Sequence, residues 1–214
     1  MKINVNAALF AAVRTAMSKE ETRYYLRGVF VEPHPYGGVL LVATDGHRLG
    51  IAHDPEGSID CNPVAFNVDI NDRHMRNTLK KSNQRLCVTD AVAELTLDGT
   101  VMATGMVSLP GGEYPEYHRV LPKMLGTATE FKHGWNGVYI SAISDAYSMV
   151  APRKSTPIAF RGDGVGNPTW IISPSVRDLA FVLMPMRLGA YDDVSLGWIS
   201  AFMDHKNNPV QQAA

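Results

Sequence analysis

Three stretches of this chain repeat one order of predicted elements, and this repeat constrains the fold more than any other feature. Each stretch opens with a short extended piece, continues with apolar residues at helical spacing, and ends in apolar runs separated by turns. The order repeats, although the residues do not. Such a chain is expected to fold as α+β, with antiparallel sheets packed against helices.

In the first stretch, a helix is predicted at about 6–21, with Asn6 as its N-cap, and strands at 24–32, 39–44 and 48–53. In the second, strands are predicted at 64–68, 86–88, 93–97 and 101–107, with a helix from Asn71. The last two strands are joined at Asp98-Gly99, a strong hairpin signal. In the third, strands at 130–133, 157–161, 169–173 and 178–184 accompany a helix with Tyr139, Ile143 and Tyr147 on one side.

Composition excludes several classes of protein. The 214 residues are 45% hydrophobic and carry 20 basic and 21 acidic side chains, which fits an ordinary core without a general basic excess. Cys61 and Cys87 are too few for a disulfide framework and are not spaced as metal ligands, so reduced thiols in a cytoplasmic protein are expected. Neither a signal peptide nor a membrane-spanning segment is predicted.

Two distant stretches, 44–49 and 182–188, are expected to form two walls of one pocket. The first is a polar turn between apolar strands. The second carries Met184 and Met186, whose soft side chains suit a surface that binds varied apolar peptides. The segment 111–123, which lies between the second and third stretches and is rich in proline and glycine, is predicted to be an extended linker.

No arrangement of residues indicates catalysis or metal binding. Asp45 and His47 lack a second acid, a nucleophile or a third ligand at a supporting spacing. The run 162–166 has the glycines of a phosphate loop but not its Lys-Ser/Thr pair, so a hairpin loop is favoured. We expect neither an enzyme nor a cofactor.

Five segments together resemble the bacterial sliding clamp family, the beta subunit of the replicative DNA polymerase III. They are residues 21–28, 43–49, 113–122, 134–136 with Tyr139, and 182–188. The resemblance implies a DNA-clamp fold made of helix-plus-antiparallel-sheet half-units. It implies one full domain at 1–122, with half-units 1–60 and 61–122, then a single half-unit at 123–188 and a C-terminal tail at 189–214. The remaining domain and half-domain of the family are absent.

The resemblance also implies a hydrophobic groove that docks peptides from a DNA polymerase and its clamp loader. The residues implied to line it are Leu26, Thr44, Gly46, His47, Leu49, Pro115, Arg119, Val120, Asn136, Tyr139, Val182, Met184, Pro185, Met186 and Arg187. Independently of the family, apolar walls would bury the anchor residues of a peptide, and polar side chains would fix its direction.

Duplex DNA is the second implied partner, bound without sequence preference through phosphate contacts. A basic stripe at Arg73, Arg76, Lys80 and Lys81 fits this role, although a solvated helix face is the alternative interpretation. Arg14, Arg153 and Lys154 accompany the stripe, and Tyr24 and Tyr25 match positions that touch DNA in the family. Four such chains would supply as many half-units as the family's ring, which favours a homotetramer over a dimer or monomer.

Two other functions remain open from the sequence. A peptide-binding module that never encircles DNA, such as a decoy from a phage or mobile element, requires only the groove. A hydrolase or transferase on a similar mixed fold requires a convergent acid-base-nucleophile cluster, which we do not find. The tail segment 193–198 loosely resembles a clamp-binding peptide and is a candidate ligand for the groove.

Overall fold

The computed structural model describes residues 1–76, 83–121, 134–151, 156–162 and 166–186. Several sequence predictions lie outside these ranges: the strand at 130–133, the C-terminal tail, and the side chains of Lys80, Lys81, Arg153, Lys154 and Arg187.

The chain begins with strand β1 (Lys2–Asn6), which leads directly into helix α1 (Ala7–Arg14). Asn6 caps the helix as predicted, because its side-chain oxygen accepts hydrogen bonds from the amides of Ala8 and Leu9. The predicted length is wrong: α1 ends at Arg14. The residues that follow form a turn, in which the amides of Ala16 and Met17 donate to the carbonyls of Val13 and Arg14.

Strands β2 (Val29–Pro33), β3 (Val39–Thr44) and β4 (Arg48–Asp54) follow as an antiparallel meander. The prediction that the first of these strands starts at Tyr24 is wrong, because residues Glu21–Leu26 form a 3-10 helix instead. Aromatic residues favour strands when their surroundings are sheet-like. Here only Leu26 of the 3-10 helix is buried, so the alternation of a half-buried strand is missing.

The first predicted unit ends with the short strand β5 (Ser58–Ile59). The second comprises β6 (Val64–Val68), α2 (Asp72–Met75), β7 (Gln84–Thr89), β8 (Val92–Leu97) and β9 (Thr100–Ser108). The Asp98-Gly99 hairpin is confirmed, with φ angles of 49° and 82°, the left-handed values that a tight I′ turn requires. Helix α2 is one turn long, because the backbone is extended again at Arg76. Within the described residues, the predicted stripe of cations along one helix therefore does not form.

The third predicted unit contains α3 (Gly137–Val150), β10 (Ala159–Arg161), β11 (Thr169–Ser173) and β12 (Val176–Leu183). Its helix buries Ile143, Ala146 and Tyr147, as the helical spacing predicts. The buried Tyr147 hydroxyl lies within hydrogen-bond distance of the carbonyls of Ile171 and Leu179, 2.7 and 3.2 Å away. This contact fixes α3 on the sheet of its own unit.

All pairings between named strands are antiparallel, in the order β10-β11-β12-β4-β3-β2-β6-β9-β8-β7-β1-β5. Strand β12 pairs with β4, which joins the last part of the described chain to the first. Helix α1 packs against α3, and one apolar core contains residues of both. The predicted α+β class is confirmed. None of the helices in the described ranges is long and apolar enough to cross a bilayer.

Candidate functional site

The site is built where β4 meets β12. Leu49 and Val182 are register partners across this pair of strands, and both are buried. With Val42 on the neighbouring strand they form an apolar centre, which we call the junction cluster. The side chains packed around it are partly buried and come from four separate parts of the chain: Phe30, Ile51, Tyr114, Tyr117, Val120, Leu121 and Trp170.

Residues 114–121 cover one side of the junction cluster. The Tyr114 ring stacks on Phe30 with centroids 4.7 Å apart, and its hydroxyl donates to the Val42 carbonyl at 3.3 Å. The Tyr117 hydroxyl donates to the Glu32 carboxylate. Burial raises the pKa of Tyr114, while burial and the neighbouring Glu32 raise that of Tyr117. The prediction of an extended linker is therefore wrong for this segment, which is docked and ends in a 3-10 helix at Tyr117–Val120.

The turn between β3 and β4 lies at the start of the strand that carries Leu49. The Asp45 carboxylate accepts the amides of His47 and Arg48 at 2.9 and 3.0 Å and pairs with the Arg48 guanidinium at 3.1 Å. Gly46 occupies the left-handed region, with φ at 88°. The acid of the Asp45–His47 pair is thus used to hold the turn, which supports the structural interpretation of that motif.

The end of β12 is held against this turn and against the start of α3. The Met184 amide donates to the His47 carbonyl at 3.0 Å, and Met186 forms an antiparallel bridge with Gly134. Two residues beyond Gly134, Asn136 caps α3 by accepting the Val138 amide at 2.9 Å. The two methionines therefore leave the sheet between the turn and the helix.

Tyr139 links α3 to the turn. Its ring centroid is 6.2 Å from that of His47, and the Arg48 guanidinium carbon lies 4.9 Å above the same ring. The His47 carbonyl also accepts the hydrogen bond from the Met184 amide. The turn, the start of α3 and the end of β12 are therefore in direct contact.

Most of the described residues predicted for the groove meet at this junction. Leu49 and Val182 belong to the junction cluster, and Val120 packs against it. The adjoining turn, helix start and strand end carry Thr44, Gly46, His47, Asn136, Tyr139, Met184, Pro185 and Met186. Pro115 and Arg119 lie on the docked segment and are exposed, with Arg119 paired to Glu116. Leu26 is the exception, since it is buried and lies outside the junction cluster.

Sequence reasoning missed several residues at the junction. Tyr114, Tyr117 and Trp170 pack against the cluster, and Val138, in the first turn of α3, is 73% exposed. Val138 could have been found, because it is apolar and adjacent to Tyr139 but lies off the buried face of its helix. The roles of Tyr114 and Tyr117 depend on partners more than 70 residues away, which no local pattern indicates.

The residues predicted to contact DNA fall into two groups. Tyr24, 54% exposed, and Tyr25 lie on the 3-10 helix with their rings edge to face, and Arg73 and Arg76 are exposed at α2. Arg14 differs, because its side chain is only 10% exposed and donates to Asp72 and to the carbonyls of Val68 and Ile70. The expected phosphate contact of Arg14 is not supported, since its hydrogen bonds are used to hold α1 to the second unit.

Among the described residues, no three His, Cys, Asp or Glu side chains are grouped as metal ligands. Beside the buried junction cluster, Val138, Met186 and His47 are exposed, and a surface of this kind can hold an extended segment with one or two anchor side chains.

Known proteins are similar to this chain over part of its length. Residues 1–62 match the family described as DNA polymerase III beta subunit, central domain. A beta sliding clamp of Caulobacter vibrioides is 31% identical over 128 residues, which cover 54% of this chain and 32% of the relative. The Escherichia coli K12 beta sliding clamp is 31% identical over 127 residues, covering 54% and 31%. The aligned part of the chain thus spans about a third of the length of these relatives.

Solved clamps share the fold. A Caulobacter crescentus beta sliding clamp superposes with a TM-score of 0.59 at 22% identity, covering 87% of this chain and 65% of the clamp. The DNA polymerase III subunit beta of Bartonella birtlesii gives 0.58 at 17%, covering 87% and 66%. In sequence over about half its length, and in fold over most of it, the chain is similar to bacterial beta sliding clamps.

Proposed function

We propose that the chain is a non-enzymatic, clamp-type processivity protein that encircles duplex DNA as a homo-oligomeric ring and docks peptides of a DNA polymerase and its clamp loader. The observation that carries the proposal is the junction, where one chain brings together the turn 44–49, segment 114–121, the start of α3 and the end of β12. The cytoplasm, where bacterial DNA is replicated, is the location that this function requires.

The junction suits a peptide for two physical reasons. Its floor is fixed, because Leu49 and Val182 are buried and register-paired, so little order has to be created on binding. Its rim is adaptable, because Met184 and Met186 are flexible thioethers. A single apolar anchor buried there would contribute roughly 1.5–3 kcal/mol. Polar partners for the peptide are offered by His47, which is exposed, and by Asn136.

DNA contact is proposed for Tyr24, Tyr25, Arg73 and Arg76, together with Lys80, Lys81, Arg153 and Lys154. The first four lie at exposed or half-buried positions in the structure. Contacts of this kind neutralise phosphates without reading bases, which permits movement along the duplex. Arg14 is not included, because its guanidinium is already paired with Asp72.

Self-association is supported by an uncovered strand. β9 pairs with β8 along its length but meets β6 only at Val107 and Ser108. Val101, Met102 and Met106 on this strand are exposed. An apolar strand with an open edge invites pairing with another chain. A homotetramer is the assembly we favour, because it supplies the complete set of half-units.

A second function, the non-encircling peptide-binding module, is favoured by one observation. Every residue of the junction comes from a single chain, so peptide docking needs no assembly, whereas a ring needs an interface that the described chain leaves open.

Two measurements test the two functions together. The first is titration with a fluorescent Gln-x-x-Leu-x-Phe peptide, whose Leu and Phe are apolar anchors, and the second is light scattering of the free protein. The clamp proposal expects saturable binding that weakens in a Met184→Ala/Met186→Ala variant, and a particle of four chains. Binding by a monomer would favour the docking module instead. A Tyr36→Ala variant is the matched control, because Tyr36 is 94% exposed on a turn outside the junction cluster. Equal binding by all three proteins would reject the groove.

A further inference from the structure

The described part of the chain ends on the wall of the groove. Met184 donates to His47 in the turn, and Met186 bridges to Gly134 just before α3. Residues 187–214 therefore start from the groove itself.

The groove keeps apolar surface open at that point. Val138 is 73% exposed and Met186 is 48% exposed, and they lie on the two segments joined by the Gly134–Met186 bridge. Val120 and Met184 are half-buried beside the same surface. Isolated apolar residues on a surface are ordinary, but a group that borders a slot indicates a binding site.

The chain beyond Met186 contains one segment able to cover this surface. Residues 196–203 read Leu-Gly-Trp-Ile-Ser-Ala-Phe-Met, an apolar run with two aromatic rings, whereas the sequence after Met203 is mainly polar. Trp and Phe side chains offer large apolar area with few rotatable bonds, which makes them effective anchors.

We infer that segment 196–203 binds in the groove of its own chain, so that a partner's peptide has to displace it. The inference rests on the proposed docking function of the groove and adds a regulator to it. The nine residues 187–195 separate Met186 from Leu196. Fully extended they span up to about 30 Å, and as a flexible chain about 17 Å. The span needed is short, because Met186 itself lies at the exposed apolar surface that the segment would cover.

Attachment makes even a weak segment effective. A short flexible connection gives an effective concentration on the order of 1 mM. A segment with an intrinsic Kd of about 0.1 mM would then occupy the groove most of the time and weaken an external peptide about tenfold.

The test compares the full-length chain with a Leu196→Ser/Trp198→Ser variant and with Val210→Ser, a control that removes an apolar residue of the tail outside the segment. Each protein is titrated with the fluorescent Gln-x-x-Leu-x-Phe peptide. We expect the double variant to bind about tenfold more tightly than the unchanged chain, and the control to bind like the unchanged chain. Hydrogen exchange without peptide should show faster exchange at residues 114–121 and 182–186 in the double variant only.

The outcomes separate the inference from the function on which it rests. Equal peptide affinity in all three proteins, with equal exchange, overturns the inference and leaves peptide docking intact. No peptide binding by any protein, with equal exchange, overturns both. A gain in affinity that disappears on dilution of the protein shows that the segment comes from a second copy, which overturns binding within one chain.

Discussion

Strands β4 and β9 are the last long strands of the first two predicted units, yet their outer edges differ. β4 pairs with β12 from Arg48 to Ala52, and its inward-facing residues are buried. Among the described strands, the corresponding edge of β9 is paired only at Val107 and Ser108, with β6, and its apolar residues Met102 and Met106 are exposed. The same strand position can therefore be covered by another strand of its own chain, as in β4, or remain exposed as a surface for assembly, as in β9.

The largest expected effect comes from truncating a side chain of the junction cluster. Leu49→Ala should lower the free energy of unfolding by about 2–5 kcal/mol, because a buried side chain is lost at a position that two strands enclose. Urea denaturation measures it. Met102→Ala on β9 is the matched control and should stay within about 0.5 kcal/mol in the monomer. Similar losses at the two positions would show that the strands are not different in kind.

A smaller loss is expected where segment 114–121 is tied to β2. Tyr117→Phe removes the hydroxyl that donates to Glu32 and should cost about 1 kcal/mol, since both groups are only partly buried. Tyr36→Phe provides the control, because that hydroxyl is exposed. A Tyr117→Phe protein as stable as the control would mean that the segment is held by stacking alone.

Segment 114–121, which packs on the junction cluster, should also be the first region to lose stability at alkaline pH. The pKa of Tyr114, Tyr117 and Tyr147 is raised, chiefly by burial, above the ordinary value of 10.0. Their contribution is therefore complete below pH 10 and is lost as the pH rises towards the folded-state pKa values.

Residues 84–108, which form β7 to β9, contain no tyrosine. Hydrogen exchange at pH 10 to 11, corrected for its intrinsic rate, should show residues 114–121 losing protection before β7 and β8. Tyr114→Phe should reduce the alkaline loss of stability. Simultaneous loss of protection in residues 114–121 and in β7 and β8 would contradict the prediction that the buried tyrosines cause the alkaline loss of stability.

The smallest change in stability, but a clear change in assembly, is expected on β9. Met102→Lys places a charge on the exposed strand, where it should leave the unfolding free energy within about 0.5 kcal/mol. Its self-association constant should fall about tenfold or more in analytical ultracentrifugation, because pairing would bury the charge. Tyr36→Lys is the control for added charge. Unchanged association would place the interface elsewhere.

Sequence patterns predicted some elements to the residue. β3, β6 and β11 have the predicted bounds because turn residues flank short apolar runs whose side chains reach the core. The Asp98-Gly99 hairpin was equally clear, since its conformation depends on two adjacent residues.

The rest depended on partners distant in sequence. Segment 114–121 reads as a linker until Phe30, Glu32 and Val42 are brought beside it. Arg14 reads as an exposed cation until Asp72, 58 residues away, pairs with it. Residue character alone predicted that the turn 44–49 and the stretch 182–188 share a pocket, but the other groove residues were found only through resemblance, because their proximity follows from the β4–β12 pairing.

Hydrogen exchange of the 214-residue chain, with and without a saturating Gln-x-x-Leu-x-Phe peptide, tests directly whether the junction is the docking site. We expect added protection at residues 44–49, 114–121, 134–139 and 182–186, with none on β8 and β9. Protection confined to the β8–β9 hairpin, or no protection with bound peptide, would contradict it.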